Sequence, residues 1–238
     1  GMVTSPTLYY VVGSRELAGG VMVTASHNPA GDNGFKLCRE GVRPIGSVSG
    51  LKEIEAAVTA DEPAAVAAPG TGESLDVLSD YLDHVLAQIP SKEGCEIKPL
   101  KIAFDCGNGV AGPTVDALLK RLPQIEAVKL FFEPDGTFPN HPANPIVSSN
   151  LVDVQAAVRE HACDLGVAFD GDGDRVVFID EKGKRVLSDL MTALLVPRML
   201  ADAPGAAVVY DLVSSKVVLE EINAAGGKPI EERVGHAF

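Results

Sequence analysis

Apolar positions recur every second residue in some stretches and every third or fourth in others, and the changes of rhythm mark the elements. Pro6 followed by the apolar Leu8–Val12 predicts a helix, because proline is tolerated in a first turn. Val21-Met22-Val23-Thr24 predicts a short buried strand ending at Ala25-Ser26-His27-Asn28-Pro29, with a loop running on to Lys36. Residues 39–50 read as loop, Leu51–Val58 as a short amphipathic helix, and the Ala-, Pro- and Gly-rich stretch 61–72 as a surface connection. Ser74 is placed to cap a helix whose Leu75, Leu78, Leu82, Val85, Leu86 and Ile89 share one face until Pro90 stops it.

From Lys101 the pattern becomes a regular alternation. A strand Lys101–Phe104 leads through the glycine loop 105–112 into a helix Pro113–Arg121, then a strand Ala127–Phe132 and a turn-rich loop, Glu133–Ser149, containing His141. Asn150 is placed to cap a helix Leu151–Glu160, and strands Leu165–Phe169 and Val176–Ile179 follow. After a turn come Arg185–Leu187, a helix Ser188–Ala201 capped by Ser188, a strand Val208–Asp211, a helix Ser215–Ala225 and a strand Lys228–Val234. Val208-Val209-Tyr210-Asp211 echoes Ile102-Ala103-Phe104-Asp105, so the expected class is α/β, with repeated α/β units and mixed sheets.

The chain has 238 residues, 46% of them hydrophobic and 22% charged, which describes a globular protein with room for more than one core. A net charge of −13 argues against nucleic acid or an anionic membrane as partner, while leaving an anionic substrate open if arginine, lysine or a metal helps locally. No apolar run reaches the length of a membrane span and no signal peptide opens the chain. Cys38, Cys95, Cys106 and Cys163 lack metal-ligand spacing and read as reduced thiols, so the expected location is cytoplasmic.

The candidate chemistry is concentrated in two loops. Asp170-Gly171-Asp172-Gly173-Asp174-Arg175 puts three carboxylates on alternate residues between two apolar strands; they repel unless a cation joins them, and all-oxygen ligation favours a hard ion. A solvated acidic turn is the plain alternative. A calcium loop would explain Glu181 at the twelfth position, but Arg175 stands where that loop needs glycine, and strands flank it. The third reading is a phosphoryl-transfer site with Arg175 beside the phosphate, which requires a phosphate carrier elsewhere. Ser26, at a strand end, is either a turn serine or that carrier; Thr24 and Asn28 stand where a hydrolase elbow needs glycines. The loop 105–112 lacks phosphate-loop spacing and reads as packing surface, and His141 as a loop residue.

Thr24-Ala25-Ser26-His27-Asn28-Pro29 with Asn33-Gly34-Phe35-Lys36, followed in order by Asp170–Arg175, resembles the phosphomannomutase/phosphoglucomutase members of the α-D-phosphohexomutase superfamily. The resemblance implies interconversion of hexose 1-phosphate and hexose 6-phosphate through a phosphoserine and a bisphosphorylated sugar. It implies that Ser26 carries phosphate and, with Asp170, Asp172 and Asp174, holds magnesium, that His27 and Lys36 move protons, and that Arg175 holds phosphate or orients the serine loop. Arg233 and His236 match the beginning of a substrate loop, and glucose 1,6-bisphosphate or an equivalent hexose bisphosphate is the implied activator. The implied units are residues 1–97, 98–187 and 188–238, these being the later part of a first domain, a whole second domain and the start of a third. On that reading the chain is a fragment with little turnover alone. Two other classes compete: a phosphatase of the haloacid dehalogenase type using Asp170, and a non-catalytic module binding cations or sugar phosphates.

Overall fold

A computed structural model describes residues 1–60, 68, 70–89 and 96–235. Helix α1 (Ser5–Ser14) starts at Thr4, whose hydroxyl accepts from the Thr7 N–H, with Pro6 in the first turn where its missing N–H is harmless. Strands β1 (Gly19–Val23) and β2 (Phe35–Arg39) pair antiparallel with Val23 opposite Phe35, so the Ser26 loop is the connection of a two-stranded ribbon. This corrects two expectations. Val21 and Val23 are 58% and 62% exposed rather than buried, and Phe35, Lys36 and Arg39, expected as loop, belong to the second strand. The cause is that Phe35-Lys36-Leu37-Cys38-Arg39 interleaves polar residues with an apolar set whose pairing partner lies beyond a long loop.

Helix α2 (Leu51–Thr59) buries none of its residues. Helix α3 (Leu78–Leu86) begins three residues later than the Ser74 cap predicts: Asp76 Oδ1 accepts from the Leu78 N–H, and Leu75 lies exposed outside the helix. The expected stop at Pro90 and most of the connection 61–72 fall outside the described residues. Tyr81 on α3 tilts against Tyr10 on α1, with ring centroids 5.6 Å apart.

The central layer is a five-stranded mixed sheet in the order β4-β3-β5-β6-β7, made of β3 (Leu100–Asp105), β4 (Ile125–Leu130), β5 (Leu165–Phe169), β6 (Val176–Ile179) and β7 (Arg185–Val186). β3 runs parallel to β4 and β5, while β6 and β7 are antiparallel to their neighbours, as the short β5–β6 loop requires. Helices α4 (Ala111–Leu119) and α5 (Val152–Glu160) cover it, and Leu151, Val154, Val158, Ala168 and Ile179 form its main core. Asn150 does not cap α5; a short 3₁₀ turn, Ser148–Leu151, precedes the helix, and Asn150 Nδ2 donates to the Asn144 carbonyl (2.9 Å). Because β3 and β5 are parallel, the loops after Asp105 and Phe169 emerge side by side at their carboxyl ends.

The last unit pairs β8 (Ala207–Asp211) with β9 (Lys228–Glu232) in parallel, under α6 (Ser188–Asp202) and α7 (Lys216–Ala224). Its own core is Val196, Leu200, Val218 and Ile222. Ser215 caps α7, whereas Ser188 is already helical and Leu187 stands at the α6 cap without a side-chain bond. Among the described residues no helix is long and apolar enough to cross a membrane.

Candidate active site

The Asp170–Arg175 loop is folded around its own first carboxylate. Asp170 is fully buried, and its Oδ1 accepts from the backbone N–H groups of Asp174 (3.1 Å) and Arg175 (3.0 Å). Its Oδ2 accepts from the Ser26 hydroxyl at 3.0 Å, which joins the two loops that carry the chemistry. The two glycines have different jobs. Gly173 has a φ of 69°, a left-handed turn that a side chain would strain, whereas Gly171 lets the loop approach the serine, since a Cβ there would overlap the Ser26 carbonyl oxygen.

One oxygen from each of Asp170, Asp172 and Asp174 lies within 4.8 Å of the others. Asp172 Oδ2 accepts from Ser5 Oγ (2.6 Å) and Lys36 Nζ (2.6 Å), and Lys36 also bonds Asp174. Asp172 Oδ1 is buried without a hydrogen-bond partner among the described residues. Such an orphan acceptor costs about 1–3 kcal/mol unless something electropositive meets it. Three convergent carboxylates, one with an unmatched buried oxygen, fit a hard divalent cation with Ser26 Oγ at the edge of the cluster.

The electrostatics follow from burial and neighbours. Burial pushes Asp170 up to about 6; the backbone bond from Arg175 opposes the rise and the Asp172 and Asp174 charges add to it. Asp172 is also penalised by burial, but the Lys36 and Ser5 bonds outweigh that and hold it below the usual carboxylate range. Burial opposes the charged form of Lys36, and its bonds to Asp172 and Asp174 overcome this, leaving its pKa raised. His27 moves the other way, lowered by burial and then by the Arg175 guanidinium, which favours the neutral ring.

Ser26 has a φ of 54°, a left-handed conformation costing on the order of 1 kcal/mol in a non-glycine residue. It is held there by the Thr24 hydroxyl, which accepts from the Ser26 N–H at 2.8 Å, and by the Asn28 N–H donating to the Ala25 carbonyl at 3.0 Å. His27 Nδ1 lies 3.3 Å from Ser26 Oγ. Arg175 Nε stands 3.9 Å from both Asp170 Oδ2 and Asp174 Oδ1, with its side chain partly open to solvent. The fold thus brings together Ser26, His27, Lys36, Asp170, Asp172, Asp174 and Arg175. Arg233 lies elsewhere, lining a 350 Å³ cavity of the last unit with Tyr210, Asp211, Ser214 and Glu232, and His236 lies outside the described residues.

Sequence reasoning missed several supports. Ser5, at the start of α1, is buried and bonds Asp172 through both its hydroxyl and its N–H, the latter to the Asp172 carbonyl (2.9 Å). The Val110 N–H donates to the Gly171 carbonyl (3.0 Å), so the glycine loop after β3 braces the acidic loop, with Gly109 against Gly171 too close for any side chain. His141, expected as a plain loop residue, reaches buried Asp105 through Nε2 at 3.0 Å. The glycine loop and the long turn-rich loop carrying His141 were visible as loops in the sequence, but the partners of Ser5, Val110 and His141 depend on contacts far apart in sequence.

Fold and site together define an α/β protein in which an acidic, oxygen-rich cluster able to hold a cation meets a serine in a left-handed backbone conformation. A model of the phosphoglucomutase/phosphomannomutase α/β/α domain I matches residues 1–65, and one of α/β/α domain II matches residues 79–183. The chain is similar to a phosphomannomutase of Salmonella typhimurium, 38% identical over all of this chain and 53% of that protein. It is also similar to a protein named phosphohexose mutases from Xanthomonas campestris pv. campestris, 41% identical over all of this chain and 52% of that one. A crystal structure of a phosphoglucomutase/phosphomannomutase family protein from Burkholderia thailandensis superposes on the whole chain with a TM-score of 0.89 at 32% identity, over 51% of its own length. The chain therefore belongs to the phosphoglucomutase/phosphomannomutase family, and it spans about half the length of the curated relatives it matches.

Proposed function

We propose that this chain carries the phosphoserine and cation-binding machinery of a phosphohexomutase that interconverts hexose 1-phosphate and hexose 6-phosphate. The observation that carries this reading is the Ser26 hydroxyl donating to buried Asp170 at 3.0 Å, at the edge of a triad with an orphan oxygen on Asp172. Asp170, Asp172, Asp174 and the Ser26 oxygen would hold magnesium, which when bound neutralises negative charge on a transferring phosphoryl group. The phosphoryl group leaves Ser26 Oγ as its bond to a sugar hydroxyl oxygen forms, and the sugar hydroxyl gives up a proton. His27, with Nδ1 at 3.3 Å from Ser26 Oγ and a pKa favouring the neutral ring, is the proposed proton acceptor. Lys36, a cation that can only donate, is the proposed donor to the departing serine oxygen. Arg175 has a free flank to bind phosphate.

In this reading residues 1–97, 98–187 and 188–238 are successive units, and Arg233 and His236 belong to sugar recognition with hexose phosphates as substrates. An aspartyl-phosphate route fits less well, since both Asp170 oxygens are occupied by hydrogen bonds in a fully buried carboxylate.

The test is intact mass after incubation with glucose 1,6-bisphosphate and magnesium, followed by mapping of added phosphate. Phosphate on Ser26, absent in Ser26→Ala, is expected. Acid-labile phosphate on Asp170 would replace this reading with the phosphatase one. Magnesium binding without any phosphate uptake would leave a binding module as the function.

A further inference from the structure

The chain contains two Asn-Gly dipeptides, Asn33-Gly34 and Asn108-Gly109, and the fold treats them oppositely. Asn33 is exposed on the loop between Ser26 and Lys36. Among the described residues its side-chain amide makes no hydrogen bond, and the Gly34 N–H has no acceptor, although the Gly34 carbonyl is held by the Thr24 N–H at 2.9 Å. Asn108 is buried, its Nδ2 donates to the Glu133 carbonyl (2.9 Å), and its Oδ1 accepts from Asn140 Nδ2 (2.7 Å). The following Gly109 N–H is engaged with the Cys106 carbonyl at 2.7 Å.

We propose that Asn33 is a spontaneous modification site, converting with age to aspartate and isoaspartate within the serine loop, while Asn108 is protected. A glycine after asparagine leaves its backbone nitrogen unshielded and its backbone free to turn. The Gly34 nitrogen attacks the Asn33 side-chain carbonyl carbon, the new C–N bond closes a succinimide ring, and the bond to the side-chain nitrogen breaks. The Gly34 amide proton leaves with that nitrogen as ammonia. Water then adds to either ring carbonyl and opens it, giving aspartate or isoaspartate, so the net change is water gained and ammonia lost.

The position gives the modification a consequence. Either product adds a negative charge next to a strand whose Lys36 bridges Asp172 and Asp174. Isoaspartate also lengthens the main chain just ahead of β2, where Phe35 pairs with Val23 and Lys36 with Met22. The modification does not rest on the phosphoserine reading, because it needs no ligand, metal or substrate.

The experiment ages the purified chain at mildly alkaline pH and follows both asparagine peptides by mass spectrometry. An isoaspartyl carboxyl methyltransferase with labelled methyl donor serves as the isoaspartate probe. Conversion at Asn33 is expected about tenfold or more faster than at Asn108, since the buried site must first open and break several hydrogen bonds. In Asn33→Gln the mass gain and methyl label at that peptide should vanish, because the larger ring forms poorly. Equal rates at the two sites would overturn the proposal. So would an unconverted Asn33 under conditions where an isolated peptide of residues 30–38 converts.

Discussion

His141 presents both ring nitrogens to oxygen acceptors, Nδ1 to the Pro142 carbonyl at 2.9 Å and Nε2 to Asp105 at 3.0 Å, an arrangement only the imidazolium satisfies. The Asp105 bond raises its pKa; burial opposes this, and the Pro142 bond and the charges of Asp105 and Asp153 reinforce it. Because the folded pKa is raised, its stabilisation is full below the unfolded value of about 6.5 and is lost as pH rises through the folded value. Urea titrations from about pH 6 to about pH 9 should show that decline in the native chain and a flatter profile in His141→Gln. The variant should also cost about 1–3 kcal/mol at the acid end, as Asp105 loses its charged partner. Gly171 makes a second test at this scale. Gly171→Ala should push the Ser26 carbonyl away and weaken manganese binding by about tenfold or more, read by titration. Gly136→Ala, with open space around it, should leave binding unchanged.

The β5–β6 connection behaves as one unit: Asp170 ties its turn, Ser5 and Lys36 hold its middle, and Val110 braces Gly171 from behind. A cation bound to its carboxylates stabilises the folded state alone, by about 2.7 kcal/mol at a hundredfold excess over Kd. Thermal unfolding should therefore rise with magnesium and fall back with chelator. In Asp174→Ala, which removes the exposed carboxylate, that rise should disappear while the metal-free midpoint changes little. The three failed cap expectations have different outcomes. Ser74, Asn150 and Ser188 are all good cap types, yet Asp76 takes the Leu78 N–H at the start of α3, Asn150 turns to the Asn144 carbonyl, and Ser188 is already helical, with Leu187 at the α6 cap and no side-chain bond there.

At the scale of the molecule there are separate cores. Leu151, Val154, Val158 and Ile179 pack under the five-stranded sheet, and Val196, Leu200, Val218 and Ile222 pack under β8 and β9, with no residue in common. Denaturant unfolding should depart from a single two-state transition. Val158→Ala and Ile222→Ala, each leaving a cavity in a fully buried site, should shift different transitions, as followed by fluorescence and circular dichroism; a common shift of one transition would join the cores into one cooperative unit.

What the sequence determined by itself is the chemistry that travels in short runs. The alternation of strands and helices, the mixed sheet, the Asp170–Arg175 triad and the Ser26 loop were all legible, because hydrophobic period and residue type at fixed spacing are local properties. Tertiary structure alone decided that Lys36 lies between Asp172 and Asp174, that Ser5 and Val110 buttress the loop, and that His141 pairs with Asp105, and it turned the meeting of Ser26 with Asp170, implied by the family resemblance, into a 3.0 Å hydrogen bond. Each of these is a contact between distant stretches. It exists because parallel β3 and β5 bring their following loops to one edge and the β1–β2 ribbon lays its connection across it, a geometry that no local pattern encodes.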